Sequence, residues 1–210
     1  MNGQVSGRYA RPGRRAAVAG IFVVWVVFVG CAAPPPPSDH HYRLAVESPK
    51  PFETPPLEGR LEVARLRAES IAQGRQIAYR STDRPNEIGL YAYQHWVDPL
   101  PLMIQGALGQ ALREARVADE VSIPAFRLDR DFILYGRIVA FENVVEGATS
   151  RGQVEIEFSL VREADKALLL QRTYREEIGA SSQGMNDAVH ALSLGLSRVI
   201  ERLKSDLGKR

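Results

Sequence analysis

The sequence predicts an α+β domain: a largely antiparallel sheet with two long amphipathic helices packed on it, in the order strand, strand, strand, helix, strands, helix. Three observations carry this. Apolar residues recur at steps of three and four in two stretches, near residues 100–115 and 185–207. Between and before them, apolar and polar residues alternate in runs of strand length. Clusters such as Asp83-Arg84-Pro85-Asn86 and Glu163-Ala164-Asp165-Lys166 separate those runs as turns.

The chain opens on a different pattern. Arg8, Arg11, Arg14 and Arg15 precede an uncharged run, Ala16 to Gly30, that contains Ile21-Phe22-Val23-Val24-Trp25-Val26-Val27-Phe28. A basic stretch followed by an apolar one is the order of a secretory signal. The run ends at Phe28-Val29-Gly30-Cys31, which resembles the bacterial lipobox, with Phe28 in place of the usual Leu. That chemistry needs a thiol, because diacylglycerol is attached as a thioether before cleavage, and Gly30 leaves room beside the bond to be cut. The freed amino group of Cys31 can then be acylated, as by palmitate, and two or three chains hold a protein on a membrane where one does not. The alternative is an uncleaved signal-anchor helix, since Ala16 to Ala33 is 18 residues without a charge. Ala32, in place of Asp, implies by resemblance to other lipoproteins passage to the outer membrane, periplasmic face; an inner-membrane anchor stays open.

This segment also distorts the charge balance. The formal net charge is +2, but four arginines and no acidic residue precede Cys31, leaving 23 basic and 25 acidic residues, a net of −2. A mildly acidic domain with interspersed charges has no electrostatic footprint for nucleic acid. Cys31 is the only cysteine, so the fold is held without an intramolecular disulfide.

From Cys31 to Pro56, the run Pro34-Pro35-Pro36-Pro37 and the later Pro49, Pro51, Pro55 and Pro56 read as an extended, semi-rigid spacer. Within it, His40 and His41 lack further ligands at metal-site spacing, and Tyr42-Arg43-Leu44 is a first short strand or its lead-in. The domain proper is expected over 57–207. Leu61, Val63 and Leu66 alternate with polar neighbours, and Gln76 to Arg80 with Ile88 to Tyr93 form a β-hairpin. Pro99-Leu100-Pro101 opens a helix whose stripe is Leu100, Met103, Ile104, Ala107, Leu108, Ala111, Leu112 and Ala115. Val121 and Ile123 mark a short edge segment. Phe132 to Phe141 is apolar on both faces, Phe132, Leu134, Ile138 and Ala140 on one and Ile133, Tyr135, Val139 and Phe141 on the other, the mark of a central strand. Val154, Ile156, Phe158 and Leu160 alternate with polar residues, and Leu168 to Tyr174 completes a hairpin. The second helix runs from Met185 to Leu207 with Val189, Leu192, Leu196, Val199, Ile200 and Leu203 inward.

Chemical equipment is sparse. No Gly-x-Ser-x-Gly, His-Glu-x-x-His, Walker or Gly-x-Gly-x-x-Gly pattern occurs, so neither a hydrolase nor a nucleotide enzyme is indicated, and no metal or cofactor is expected. The pairs Glu155/Glu157 and Glu176/Glu177 read as a solvated strand face, because catalytic carboxylates need environments that split their pKa values. His95 and Trp96 have two readings. They form a partner surface, since Trp concentrates binding energy, or Trp96 closes the core where the hairpin meets the first helix.

Tyr42-Arg43-Leu44, Ile77-Ala78-Tyr79-Arg80 and Tyr93-Gln94-His95-Trp96-Val97-Asp98-Pro99-Leu100-Pro101 together resemble the ABC-type transport auxiliary lipoprotein family, over roughly Tyr42 to Leu203. The usual Trp-Ala-Glu-Pro-Leu run is here Trp96-Val97-Asp98-Pro99-Leu100, and His95 stands where Arg is often seen. The resemblance implies a non-enzymatic accessory subunit of a mammalian-cell-entry (MCE) or paraquat-inducible type intermembrane transport system. Its expected partners are the membrane, through the N-terminal lipid, and the MCE-domain tunnel protein that carries lipids or other hydrophobic compounds; self-association is open. The other reading is a stand-alone ligand-binding or envelope-assembly lipoprotein.

Overall fold

A strand that is apolar on both faces is buried only in the interior of a sheet, and the segment beginning at Phe132 is the axis of this one. The computed structural model describes residues 2–3, 37–68, 70–124 and 129–209. Gly30 and Cys31 lie outside the described residues. Residues from Pro37 onward form one compact unit. Its elements are β1 (His40–Tyr42), β2 (Leu57–Val63), β3 (Arg67–Ala68), a 3-10 turn (Ser70–Gln73), β4 (Gln76–Ser81), β5 (Ile88–Trp96), α1 (Leu100–Glu114), β6 (Ala118–Ser122), β7 (Phe132–Glu146), β8 (Thr149–Arg162), β9 (Leu168–Gly179) and α2 (Met185–Leu207).

The expected class holds, but the sheet is mixed and not largely antiparallel. Among the described residues, antiparallel pairing is confined to β4–β5, β7–β8 and β8–β9. β1–β5, β2–β6, β2–β7, β3–β7 and β4–β7 are all parallel. The hairpins were visible because a turn sits between their strands. Parallel partners are joined by long crossovers and leave no local signature. The order also differs, since β1 and the two-residue β3 add to the strands expected before α1.

One edge of β7 pairs with β8 along its whole length, while the other is shared in succession by β2, β3 and β4. A bulge between Ile138 and Ala140 changes the expected alternation. Phe141 thereby joins the core of Leu134 and Ile138, while Val139 is left 37% exposed.

α1 packs on β2 and β6, α2 lies across β7, β8 and β9, and the helices touch. Pro99 precedes α1 and Pro101 sits in its first turn, where a missing N–H costs nothing. Ile104, Leu108, Leu112, Leu192, Leu196, Val199, Ile200 and Leu203 have 0% exposure. Each such side chain contributes roughly 1.5–3 kcal/mol by leaving water. The expected inward stripe of α2 is fully buried. Close approach depends on Gly152 in β8: a Cβ there would lie 2.7 Å from the Leu192 nitrogen and 2.9 Å from the Ala191 carbonyl carbon, both helix backbone.

The C-terminal end of α2 is held by charge. Asp206 accepts hydrogen bonds from Arg172 at 2.6 Å, Tyr174 at 2.9 Å and Lys209 at 2.9 Å. Lys209, Tyr174 and Arg172 favour the carboxylate and hold Asp206 down at about 2. Burial, reinforced by the Asp206 charge, pushes the Tyr174 hydroxyl up. The Asp206 pKa is lower folded than unfolded, so its contribution is complete above the unfolded value and disappears as pH falls toward the folded one.

Gly152→Val is expected to destabilise the fold by roughly 1–3 kcal/mol, measured by urea unfolding. In contrast, Gly106→Ala on α1, where a Cβ meets nothing within 4 Å, is expected to stabilise by about 0.5–1 kcal/mol. Asp206→Asn should cost about 2 kcal/mol at neutral pH. In unfolding curves collected at successive pH values, its difference from the parent should shrink between about pH 4 and pH 2.

Candidate functional site

Three surface features bear on function: the strap that leads into the domain, the corner at His95, and a cleft walled by arginines. The strap comprises residues expected as free spacer. From Pro37 onward they belong to the compact unit. β1 pairs with β5, and the Val97 N–H donates to the Tyr42 carbonyl at 3.0 Å. Farther on, the Ala45 N–H donates to the Ser193 hydroxyl at 3.2 Å and the Glu47 N–H to the Ser197 hydroxyl at 3.0 Å. Both hydroxyls also donate to the carbonyl one helical turn back, so each relays α2 to the strap. Leu44, Val46 and Phe52 pack against the core, and Lys204 Nζ lies 4.2 Å from the centre of the Phe52 ring. The proline content concealed this, because the docking groups are backbone N–H donors and their acceptors lie about 150 residues away.

The structure separates the two residues proposed as a partner surface. Trp96 is 1% exposed and meets Phe141 edge-on at 5.9 Å between ring centres. The core reading of Trp96 holds, and its role as a contact surface is corrected: the ring is occupied in closing the core. The His95 side chain keeps 19% of its exposure, with Nε2 3.5 Å from an Asp39 carboxylate oxygen and its ring 5.7 Å from that of His41. Among the described residues no group of three or more His, Cys, Asp or Glu is arranged to hold a metal ion. No helix of the described residues is long and apolar enough to cross a membrane.

The strand carboxylates are engaged by cations. Glu157 accepts from Arg137 at 2.6 Å, Glu176 from Arg202 at 2.7 Å, and Glu177 from Arg151 at 3.0 Å. Gln171 and Arg137 hold Glu157 below the usual carboxylate range, and Arg175 does the same for Glu177. A general acid at neutral pH needs the opposite shift.

The third feature escaped the sequence reading. Exposed Arg65, just before β3, and exposed Arg67, its first residue, flank the buried Leu66. On one side lies a cleft of about 330 Å³ lined by these arginines with Tyr135, Arg137, Glu157 and Ser159. On the other lies a cleft of about 480 Å³ lined by Leu66, Ala68, Gln73, Pro99 and Pro101 as well. The Arg65-Leu66-Arg67 alternation was the available signal, but its partners Arg137 and Tyr135 are brought to it by parallel pairing.

With the geometry in place, comparison with known proteins is decisive at the level of family. The family model for the ABC-type transport auxiliary lipoprotein component matches residues 42–203. The chain belongs to this family. The match runs from the last residue of β1 into the closing turns of α2, so nearly the whole folded unit of this auxiliary lipoprotein lies within it. No curated protein matches the chain. A solved Xanthomonas campestris protein of the DUF330 family is 20% identical over 78% of this chain and 92% of its own, with a TM-score of 0.69. A second, uncharacterized protein is 15% identical over 80% and 98%, with a TM-score of 0.63. A hypothetical protein from Chlamydia trachomatis is 6% identical over 73% and 99%, with a TM-score of 0.50. At these identities the likeness is one of fold. Family membership makes the chain a membrane-anchored lipoprotein associated with a transport system.

If the strap is held as described, Ser193→Ala combined with Ser197→Ala should speed tryptic cleavage after Arg43 by about fivefold or more, as expected for losing roughly 1 kcal/mol of local protection. The global unfolding midpoint should move much less.

Proposed function

We propose that this lipoprotein is a non-enzymatic accessory subunit of an MCE-type intermembrane transport system for lipids or other hydrophobic compounds. In this reading it is exported, cleaved between Gly30 and Cys31, lipidated on Cys31, and held on the periplasmic face of the outer membrane, where it docks on the tunnel-forming MCE-domain protein. The family match over residues 42–203 is the observation that carries the reading. The engaged carboxylates support an accessory role over a catalytic one. His95, beside Asp39 at the start of the strap, is the member of the sequence-derived pair still open to a partner.

The strap sharpens the tether. With the folded unit beginning at Pro37, only residues 32–36 separate it from Cys31. The six Cα-to-Cα steps from Cys31 to Pro37 reach at most about 22 Å when fully extended. The domain therefore works close to the leaflet that holds its lipid. The stand-alone ligand-binding reading calls for a chamber between sheet and helices. That interface is instead filled by side chains such as Leu61, Ile104, Phe158 and Leu196, all at 0% exposure.

Cys31→Ser should abolish incorporation of labelled palmitate and leave an uncleaved precursor visible as a slower band. Unchanged labelling would remove the anchor from the proposal. Crosslinking in intact cells, followed by recovery from solubilised membranes, should yield an MCE-domain protein with the parent chain. Recovery of none under conditions that capture other envelope complexes would count against the docking role.

A further inference from the structure

The two clefts beside Arg65 and Arg67 lie at β3, which is only two residues long. β2, β3 and β4 share one edge of β7 in succession, β3 between the other two. Into this space the fold brings three guanidinium groups. Arg137 is answered by Glu157, with contacts of 2.6 Å and 3.0 Å from its NH2 and Nε nitrogens. Arg65 and Arg67 form no side-chain hydrogen bond or ion pair with any described residue. They differ in this from the neighbouring sheet arginines Arg60, Arg80, Arg151 and Arg175, each of which has a carboxylate partner.

Pairing register adds a second observation. Arg67 stands directly opposite Arg137 across the β3–β7 ladder. Like charges directly opposite one another destabilise a sheet, and Glu157, the one carboxylate among the described residues that line the cleft, is already bound by Arg137 and by Gln171 at 3.0 Å. Tyr135 and Ser159, cross-strand partners on β7 and β8, add neutral hydroxyl donors to the lining. Among the described residues the cleft therefore has a surplus of positive charge and of hydrogen-bond donors, and its planar guanidinium forks match the oxygens of a tetrahedral oxyanion.

We propose that the cleft walled by Arg65, Arg67 and Arg137 binds a phosphate ester. The phosphate belongs either to a soluble metabolite or to a lipid headgroup; the recognising chemistry is the same. The second cleft, with Leu66, Ala68, Pro99 and Pro101 on its lining, offers apolar contact to whatever the phosphate is attached to. The inference rests on the cleft alone, so a protein that docks on no MCE-domain partner would still carry it.

The test uses the full lipidated chain in uncharged dodecyl-maltoside micelles, titrated in one arm with glycerol 3-phosphate and in the other with phosphatidylglycerol doped into the micelles. The paired change Arg65→Gln with Arg67→Gln should weaken binding by about tenfold or more. Arg65→Lys with Arg67→Lys, which keeps the charge and removes the fork, should fall between. Arg43→Gln with Arg198→Gln removes two exposed arginines elsewhere and should leave affinity unchanged. Circular dichroism melts establish that each variant is folded. Binding in both arms supports a site for the phosphate itself, and binding in the micelle arm alone supports a headgroup site. No binding in either arm, or equal loss in the Arg43/Arg198 control, overturns the proposal.

Discussion

One edge of β7 takes up three strands in turn, and the remainder of the fold is arranged around that sharing. Along its opposite edge β7 is matched residue for residue by β8, apart from a single bulge. This long antiparallel pair is a stiff spine that buries one face under α2. Because β2, β3 and β4 each use only part of the other edge, the sheet divides there into β2–β6 toward one end of β7 and β4–β5–β1 toward the other. Between them lies the short β3, and with it the arginine-walled clefts. The feature that makes the sheet continuous also makes it locally incomplete.

The two faces of the sheet serve different ends. The helix-covered face is filled by buried aliphatic and aromatic side chains, and its tolerance is set by backbone proximity, as at Gly152. The other face keeps Tyr135 at 46% exposure amid a lattice of Arg–Glu pairs. Exposed pairs of this kind contribute little to stability. Within this set, Gln171 and Arg137 hold Glu157, and Arg175 holds Glu177, below the usual carboxylate range. Against that background, Arg65 and Arg67, which have no carboxylate partner among the described residues, stand out.

The strap links the anchor to the fold. A proline-rich segment ordinarily serves as a spacer because it lacks donors and resists compact structure. Here the residues between the prolines do the binding, through N–H groups at Ala45, Glu47 and Phe52 and through buried Pro49 itself. Each contact is small, and together they order a segment whose composition by itself reads as a spacer.

Much of this was legible in the sequence. The two helices announced themselves through stripes that must be buried, β8 through Val154, Ile156, Phe158 and Leu160, and the hairpins through their turns, because each signal lies within a few residues of its cause. The resemblance carried by the run from Tyr93 to Pro101 led to the right family for the same reason, since it lies within one stretch of chain. Tertiary structure alone decided the parallel pairings, the burial of Trp96 against Phe141, the docking of the strap on Ser193 and Ser197, and the meeting of Arg67 with Arg137. Those contacts join residues tens to about 150 positions apart, and local periodicity carries no information about which distant segment will lie beside a given one.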